Sequence, residues 1–445
     1  MIWSARLVVL AASVMGMLAL PGTAVAEHGS RPHTQSMHAL GHSPFPSPFL
    51  SQPDGVRKPN SDLAFWGARV FQGNYDGFRI LKDSPGNPKQ ISHTSCNGDQ
   101  GDMVVWDDIL VRSWNSKKTQ SRQCDGETVP AGFEGLHVFD VGNEKDPELV
   151  GDIETACGSH TATGVPDPAN RRLLIYNNGS SPDCPYFEVI AVPFDDPGNP
   201  VLLRQEPLTE AVRCHDIGVI LGDVNLATCA SGDAANVFDI GANAIPGGSL
   251  EDPQFLYAIR EPGVCNVPGN PLCNGNWHSA AFSNDGRTIV LGWEPGGGAE
   301  PECQSSDPPV KKSAFFYDAR TGVKQGQWTL PRPQDGAGEN CTIHNYNVVP
   351  LRNGRDVMVG GHYQAGTWVV DFTDPANPVT LGYSDPPALT PPDLGGAWSS
   401  YWYNGSIYES EITKGLNVFR FSGSETAGAR RLDHLNPQTQ EISLP

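Results

Sequence analysis

The sequence has no Cys-x-x-Cys pair, no Gly-x-Ser-x-Gly, no His-Glu-x-x-His and no glycine-rich phosphate loop. Those gaps argue against a thioredoxin-like site, a zinc ribbon, a serine-hydrolase elbow, a zincin centre and a nucleotide-phosphate cradle. No calcium-loop spacing occurs either. Basic residues are scarce: 30 Lys and Arg stand against 50 Asp and Glu, a net charge of -20 spread along the chain. Such a surface repels nucleic acid and anionic membranes, so neither is expected as a partner. After the first 26 residues no apolar run is long enough to cross a bilayer, and long helical periodicity is missing throughout.

The first 26 residues follow the order of a cleaved export signal: basic Arg6, an apolar run from Leu7 to Leu20, then Ala24-Val25-Ala26. The chain is therefore expected outside the cytoplasm, secreted or at the cell surface, with cleavage after Ala26. All ten cysteines lie beyond that point. An even count in an oxidising compartment predicts disulfides. Spacing does not fix their connectivity. Cys265–Cys273, bracketing one loop, is the first choice, followed by Cys96–Cys124 and Cys303–Cys341.

What is abundant is punctuation. With 49 glycines and 39 prolines, short β-rich runs alternate with turn signals. The runs repeat a grammar of strand, tight turn, strand, glycine, strand, Asp/Pro turn, strand. Asp62 and Asp102 open the first two units; His160, His215, His278 and His344 open the next four; Trp398 with Ser399 opens a shorter seventh. One unit cannot bury both faces, so stacking of units must supply the core. The expected fold is all-β: a seven-bladed β-propeller of four-stranded antiparallel blades. The expected organisation is a signal over 1–26, a Pro/Ser/His-rich linker over 27–60, the propeller over 61–422 and a polar tail over 423–445. The segment around Pro44–Pro59 is expected to supply the strand that the seventh unit lacks.

Leu136-His-Val-Phe-Asp140, Trp368-Val-Val-Asp371 with Asp374–Pro378, and Phe78-Arg-Ile-Leu81 with Pro85–Pro88 resemble the LVIVD-repeat proteins, extracytoplasmic bacterial propellers named for that strand. The likeness runs from about Ser61 to Ser422, with departures around Val189–Val192 and Ala314–Asp318. It implies a fold and an extracytoplasmic setting, and no particular reaction.

In a propeller the first strand of each blade lines the axial channel, so equivalent positions form a ring. His160, His215, His278 and His344 should then circle one mouth, with Asp62 and Asp102 beside them. The second strand returns antiparallel to the same mouth, bringing Asn177, Glu294, His362, Glu409 and Glu411, and Arg112 or Trp114 from the second unit. The candidate metal ligands are His160, His215, His278, His344 and His362, which suit zinc, copper or iron. Asp62, Asp102, Asn177, Glu294, Glu409 and Glu411 are the other candidate ligand-binding residues. His or Asp at one register can equally serve blade structure. The cluster His28, His33, His38 and His42 is read as linker composition.

Two functions follow. One is a secreted, monomeric propeller that binds a small molecule or protein at its channel mouth. The other is a metal-dependent oxidase or hydrolase with its active site there. A structural surface component without a small ligand is a third reading.

Overall fold

A computed structural model describes residues 31–46, 58–115, 118–179, 184–209, 213–232, 234–241, 246–265, 275–336, 339–389 and 394–441. The expected export signal, most of the Pro44–Pro59 segment and Cys273 lie outside the described residues. The protein is all-β, with six sheets of four to eight strands and a two-stranded ribbon.

The eight-stranded sheet consists of two four-stranded groups joined at one parallel contact, Asn345 with Ser399. Counted this way, seven groups follow one another along the chain. The third is representative: Thr161–Asp167, Arg172–Asn178, Tyr186–Pro193 and Val201–Pro207 pair in chain order, each antiparallel to the last. The first strands are Asn60–Trp66, Met103–Trp106, Thr161–Asp167, Ile217–Leu221, Gly275–Phe282, Asn345–Val348 and Ala397–Tyr403. Each touches the first strand of the next group, and the seventh touches the first, so the series closes on itself.

Alternation along the strands explains the stacking. Phe315 and Tyr317 of the fifth group pack with Ile220 and Val237 of the fourth. Phe316, between them, packs with Met358, Trp368 and Val370 of the sixth. A period of two thus sends successive side chains to opposite faces. Hydroxyls tie neighbouring first strands together. Ser61 donates to the Gly101 carbonyl at 3.0 Å, and Ser279 to that of His344 at 2.5 Å.

Both ends of the chain depart from expectation. The seventh group is completed by Met37–Pro44, which pairs antiparallel with Gly415–Phe421. That strand lies upstream of the Pro44–Pro59 segment and inside the stretch read as linker. Its alternation, with Met37 packed beside Phe419, suits it to an outer strand. His38 and His42 are engaged there with Ser422 and Asn417, and His33 with the Arg31 carbonyl. The polar tail also pairs: His434–Leu435 beside Phe65 and Trp66, and Thr439–Glu441 parallel to Val219–Leu221. Along the way Asn436 bonds Val105, Gln438 bonds Asp62 and Gln440 bonds Phe282. The Asn436 and Gln440 amides satisfy backbone groups of Val105 and Phe282 toward the far ends of their first strands, while Gln438 reaches inward to the Asp62 carboxylate, so the tail covers the end of the ring opposite the histidines.

Disulfides join Cys96–Cys124, Cys157–Cys184, Cys214–Cys229 and Cys303–Cys341. Two of these are expected pairs, and Cys265 is also disulfide-bonded. Cys303–Cys341 spans 38 residues and anchors the segment that leads to His344. A Cys303→Ser, Cys341→Ser variant should lose about 2–5 kcal/mol, read from urea unfolding under non-reducing conditions. An unchanged midpoint would show that the bridge does not restrain the unfolded chain.

Candidate metal centre

His160, His215 and His344 stand at or just before the starts of their first strands. His278 stands inside its own, where the ladder slips by one residue between Trp277 and Ser279. The same slip recurs between Asn60 and Leu63 and between Ala397 and Ser399, beside Asp62 and Trp398. Bulges re-aim side chains, and here they do so at matching positions in three groups.

The four imidazoles lie in sequence around the mouth, with ring centres 4.5, 4.1 and 4.2 Å apart from His160 through His215 and His278 to His344. They form the floor of a pocket of about 250 Å³, whose wall includes Tyr75, Arg213, Glu294, Tyr363 and Trp398. The donor atoms of His215, His278 and Glu294 all lie within 4.8 Å of one another. His278 Nε2 is 3.7 Å from Glu294 Oε2, and His160 Nε2 is 2.9 Å from His215 Nε2.

Burial sets the protonation. It pushes His160 down to about 4 and His344 to about 3, and it holds His215 and His278 well below the ordinary range, helped by their neighbouring imidazoles. All four are therefore neutral near pH 7, the form that ligates metal. Burial raises Glu294 to about 7, against the pull of the Tyr363 hydroxyl and the Arg213 charge.

The outer ring nitrogens are held in place. His160 Nδ1 faces Asn115 Oδ1 at 2.9 Å, and His344 Nδ1 donates to the Trp398 carbonyl at 2.5 Å. Both rings therefore carry an unprotonated Nε2, which meets His215 Nε2 in His160 and the Tyr363 hydroxyl in His344. His215 Nδ1 lies 3.2 Å from Asp216 Oδ1. A cation on its Nε2 would fix the proton between that ring and Asp216, the carboxylate–imidazole arrangement that orients metal ligands. His278 Nδ1 is buried with no hydrogen-bond partner among the described residues. The residues present fit a transition-metal ion.

Tyr363 links the two halves of the wall, its hydroxyl 2.8 Å from both Glu294 Oε1 and His344 Nε2. Its backbone is left-handed, φ 50°, a conformation that costs energy for a bulky residue. Reciprocal 2.8 Å bonds with Ala397 hold it there. Gly298 makes room for the pair: a Cβ there would sit 2.5 Å from both the Glu294 carboxylate and the Tyr363 hydroxyl.

Other expected site residues are placed elsewhere. His362 is buried behind the ring, where Nδ1 accepts from the His344 backbone amide at 3.2 Å, so it positions His344 and does not face the pocket. Asp62 and Asp102 lie with Asp216 in a layer beneath the imidazoles. Burial raises all three carboxyls; Asp62 accepts from Tyr401, and Asp102 from the Ala162 and Met103 amides. Asn177 bonds Glu188 and the Gly158 carbonyl. Glu409 pairs with Arg31, and Glu411 accepts from the Gly396 and Thr413 amides. Arg112 bonds the Asn74 and Asp99 carbonyls. Glu409, Glu411 and Arg112 serve the framework because their polar atoms are spent on neighbouring backbone and side chains; Asn177 does so through its amide nitrogen alone, its oxygen being buried without a partner among the described residues. A second cluster, Cys96, Cys124 and His137, offers no thiolate because its cysteines are joined to each other.

No family model and no curated protein matches the chain. Among solved structures, one chain of a complex of an S. cerevisiae Dbp5 variant bound to Nup159, a Gle1 variant, IP6 and ADP superposes with a TM-score of 0.48 at 10% identity, covering 86% of this chain and 94% of that one. A likeness at that level bears on neither fold nor function here.

Proposed function

We propose that the chain is an exported, seven-bladed β-propeller of the LVIVD kind, and a metal-dependent enzyme that works on a small molecule at its channel mouth. The cyclic contact of seven first strands supports the propeller, with Met37–Pro44 as the strand that closes the last blade. The disulfides, four of them between described residues, suit an extracytoplasmic setting.

The observation that carries the functional reading is the convergence of His215, His278 and Glu294 on one buried point at the pocket floor. Two imidazoles and a carboxylate with an open side suit iron or zinc, and the bordering His160 also suits copper. Bound there, the metal would supply a Lewis acid to whatever occupies the pocket. The chain's own residues complete the site: His160 and His344 border it with unprotonated Nε2 atoms, and Tyr363 spans Glu294 and His344, placing one hydroxyl proton between two acceptors.

Elemental analysis of the purified mature protein tests this directly. About one iron, zinc or copper per chain is expected, and a His215→Ala, His278→Ala variant should retain less than a tenth of it. A correctly folded wild type that carries no transition metal, and takes up none on dialysis, would leave a metal-free binding propeller instead.

A further inference from the structure

The pocket has two unlike walls. One is apolar: Tyr363, Trp398 and Ile412 form a small cluster with Tyr75 packed on it, and the Tyr75 and Trp398 rings meet edge to face at 6.2 Å. Leu394 extends this wall. The other carries Arg213, which precedes Cys214 and is fastened through the Cys214–Cys229 bridge to the next strand. It lines the same pocket as His160, His215 and Glu294.

Among the described lining residues Arg213 is the only one with a permanent positive charge, and Glu294 is the only acid. In a chain of net charge -20, a pocket whose described lining balances one guanidinium against one carboxyl is less acidic than the chain as a whole. It selects anions from solution and orients them. A guanidinium is the side chain suited to a planar carboxylate. The cavity, about 250 Å³, lies just below the range of about 300–1,000 Å³ usual for drug-sized ligands, so its occupant is small.

We infer that the pocket takes a small aromatic carboxylate, its ring against Tyr75 and Trp398 and its carboxylate held by Arg213 above the His215–His278–Glu294 cluster. This rests on the reading of the channel mouth as a ligand pocket, but not on the presence of metal. Arg213 is here a specificity-determining residue. Its charge discriminates against neutral analogues, and the apolar wall discriminates against anions without a ring.

Calorimetric titration of the full mature protein, as purified and after chelator treatment, tests both walls with three probes: benzoate, benzamide and acetate. Benzoate should bind at least tenfold more tightly than either of the others, a difference of about 1.4 kcal/mol. Arg213→Gln should erase the preference over benzamide while keeping the wild-type melting temperature, and Arg213→Lys should keep part of it. The inference is overturned if benzoate and benzamide bind alike, if acetate equals benzoate, if benzoate does not bind, or if Arg213→Gln leaves the preference intact. Metal analysis of the same samples separates the two ideas. A metal-free protein that still shows the Arg213-dependent preference defeats only the metal-dependent reading.

Discussion

Replacing Arg31 with alanine is expected to destabilise the protein by about 3–5 kcal/mol, the usual cost of removing one partner of a buried ion pair. Arg31 is 5% exposed and Glu409 is fully buried. Two guanidinium nitrogens lie 3.2 and 3.3 Å from Glu409 Oε1, and the guanidinium also sits 5.8 Å from the centre of the Phe419 ring. Glu409 is held further by Asn417 and Thr367, each at 2.7 Å. Those neutral donors cannot balance its charge once Arg31 is gone. The penalty comes mainly from the stranded carboxylate, so Arg31→Ala, Glu409→Gln should recover much of the loss. Urea midpoints of the three proteins check this. Equal midpoints for wild type and Arg31→Ala would mean that the amino-terminal arm does not clasp the last group. The same pair explains why a chain cut before Pro59 should fare badly: it would lose both the cation and the strand that covers Gly415–Phe421.

Metal affinity should fall about fiftyfold between pH 7 and pH 5, the slope steepening toward about tenfold per pH unit. The sign follows from the two kinds of ligand. Burial raises the Glu294 carboxyl to about 7, so below that pH a proton competes for the oxygen the metal needs. The imidazoles do not compete in that window: burial keeps His160 near 4, and His215 and His278 well below the ordinary range. Competition against a chromophoric chelator at fixed free zinc measures the slope. Glu294→Gln should bind weakly at every pH with a flat profile. A wild-type profile already flat between pH 8 and pH 5 would remove Glu294 from the ligand set. Linkage gives a companion effect in the metal-free protein. A carboxyl raised above its unfolded value favours folding at low pH, and that contribution is lost as pH rises through 7. Added metal should therefore raise the melting temperature more at pH 8 than at pH 5.

Much of this arrangement is legible in the sequence because repetition carries geometry. His160, His215, His278 and His344 occupy one place in the repeating grammar, and the structure brings their rings into a continuous row. Glu294 follows from the return of the second strand to the same end. The same rule misplaces His362 and overlooks Tyr363. The left-handed residue at 363 turns the tyrosine toward His344 and leaves His362 behind the ring, and positive φ at a tyrosine has no sequence signature. Asp216 and Arg213 flank His215 and Cys214 in the chain, so the residues beside each histidine were the signal to read.

The role of Glu409 is not legible in the sequence because its partner lies 378 positions away in the chain, where a Pro/Ser/His-rich composition suggests a linker. The tail is hidden for a related reason. Asn436, Gln438 and Gln440 act through hydrogen bonds of their side-chain amides to backbone and to Asp62, and no hydrophobic period announces such contacts. Pairing among the other cysteines had to wait for coordinates, since bridges form where strands of the sheets meet rather than at any fixed spacing.

An anomalous difference map from crystals of the mature protein, recorded at the absorption edge of the metal found by elemental analysis, reaches the centre of the account. It should show a single strong peak per chain, about 2.0–2.2 Å from a ring nitrogen of His215, a ring nitrogen of His278 and an oxygen of Glu294. A map without a peak there, in crystals whose protein carries stoichiometric metal, would contradict it.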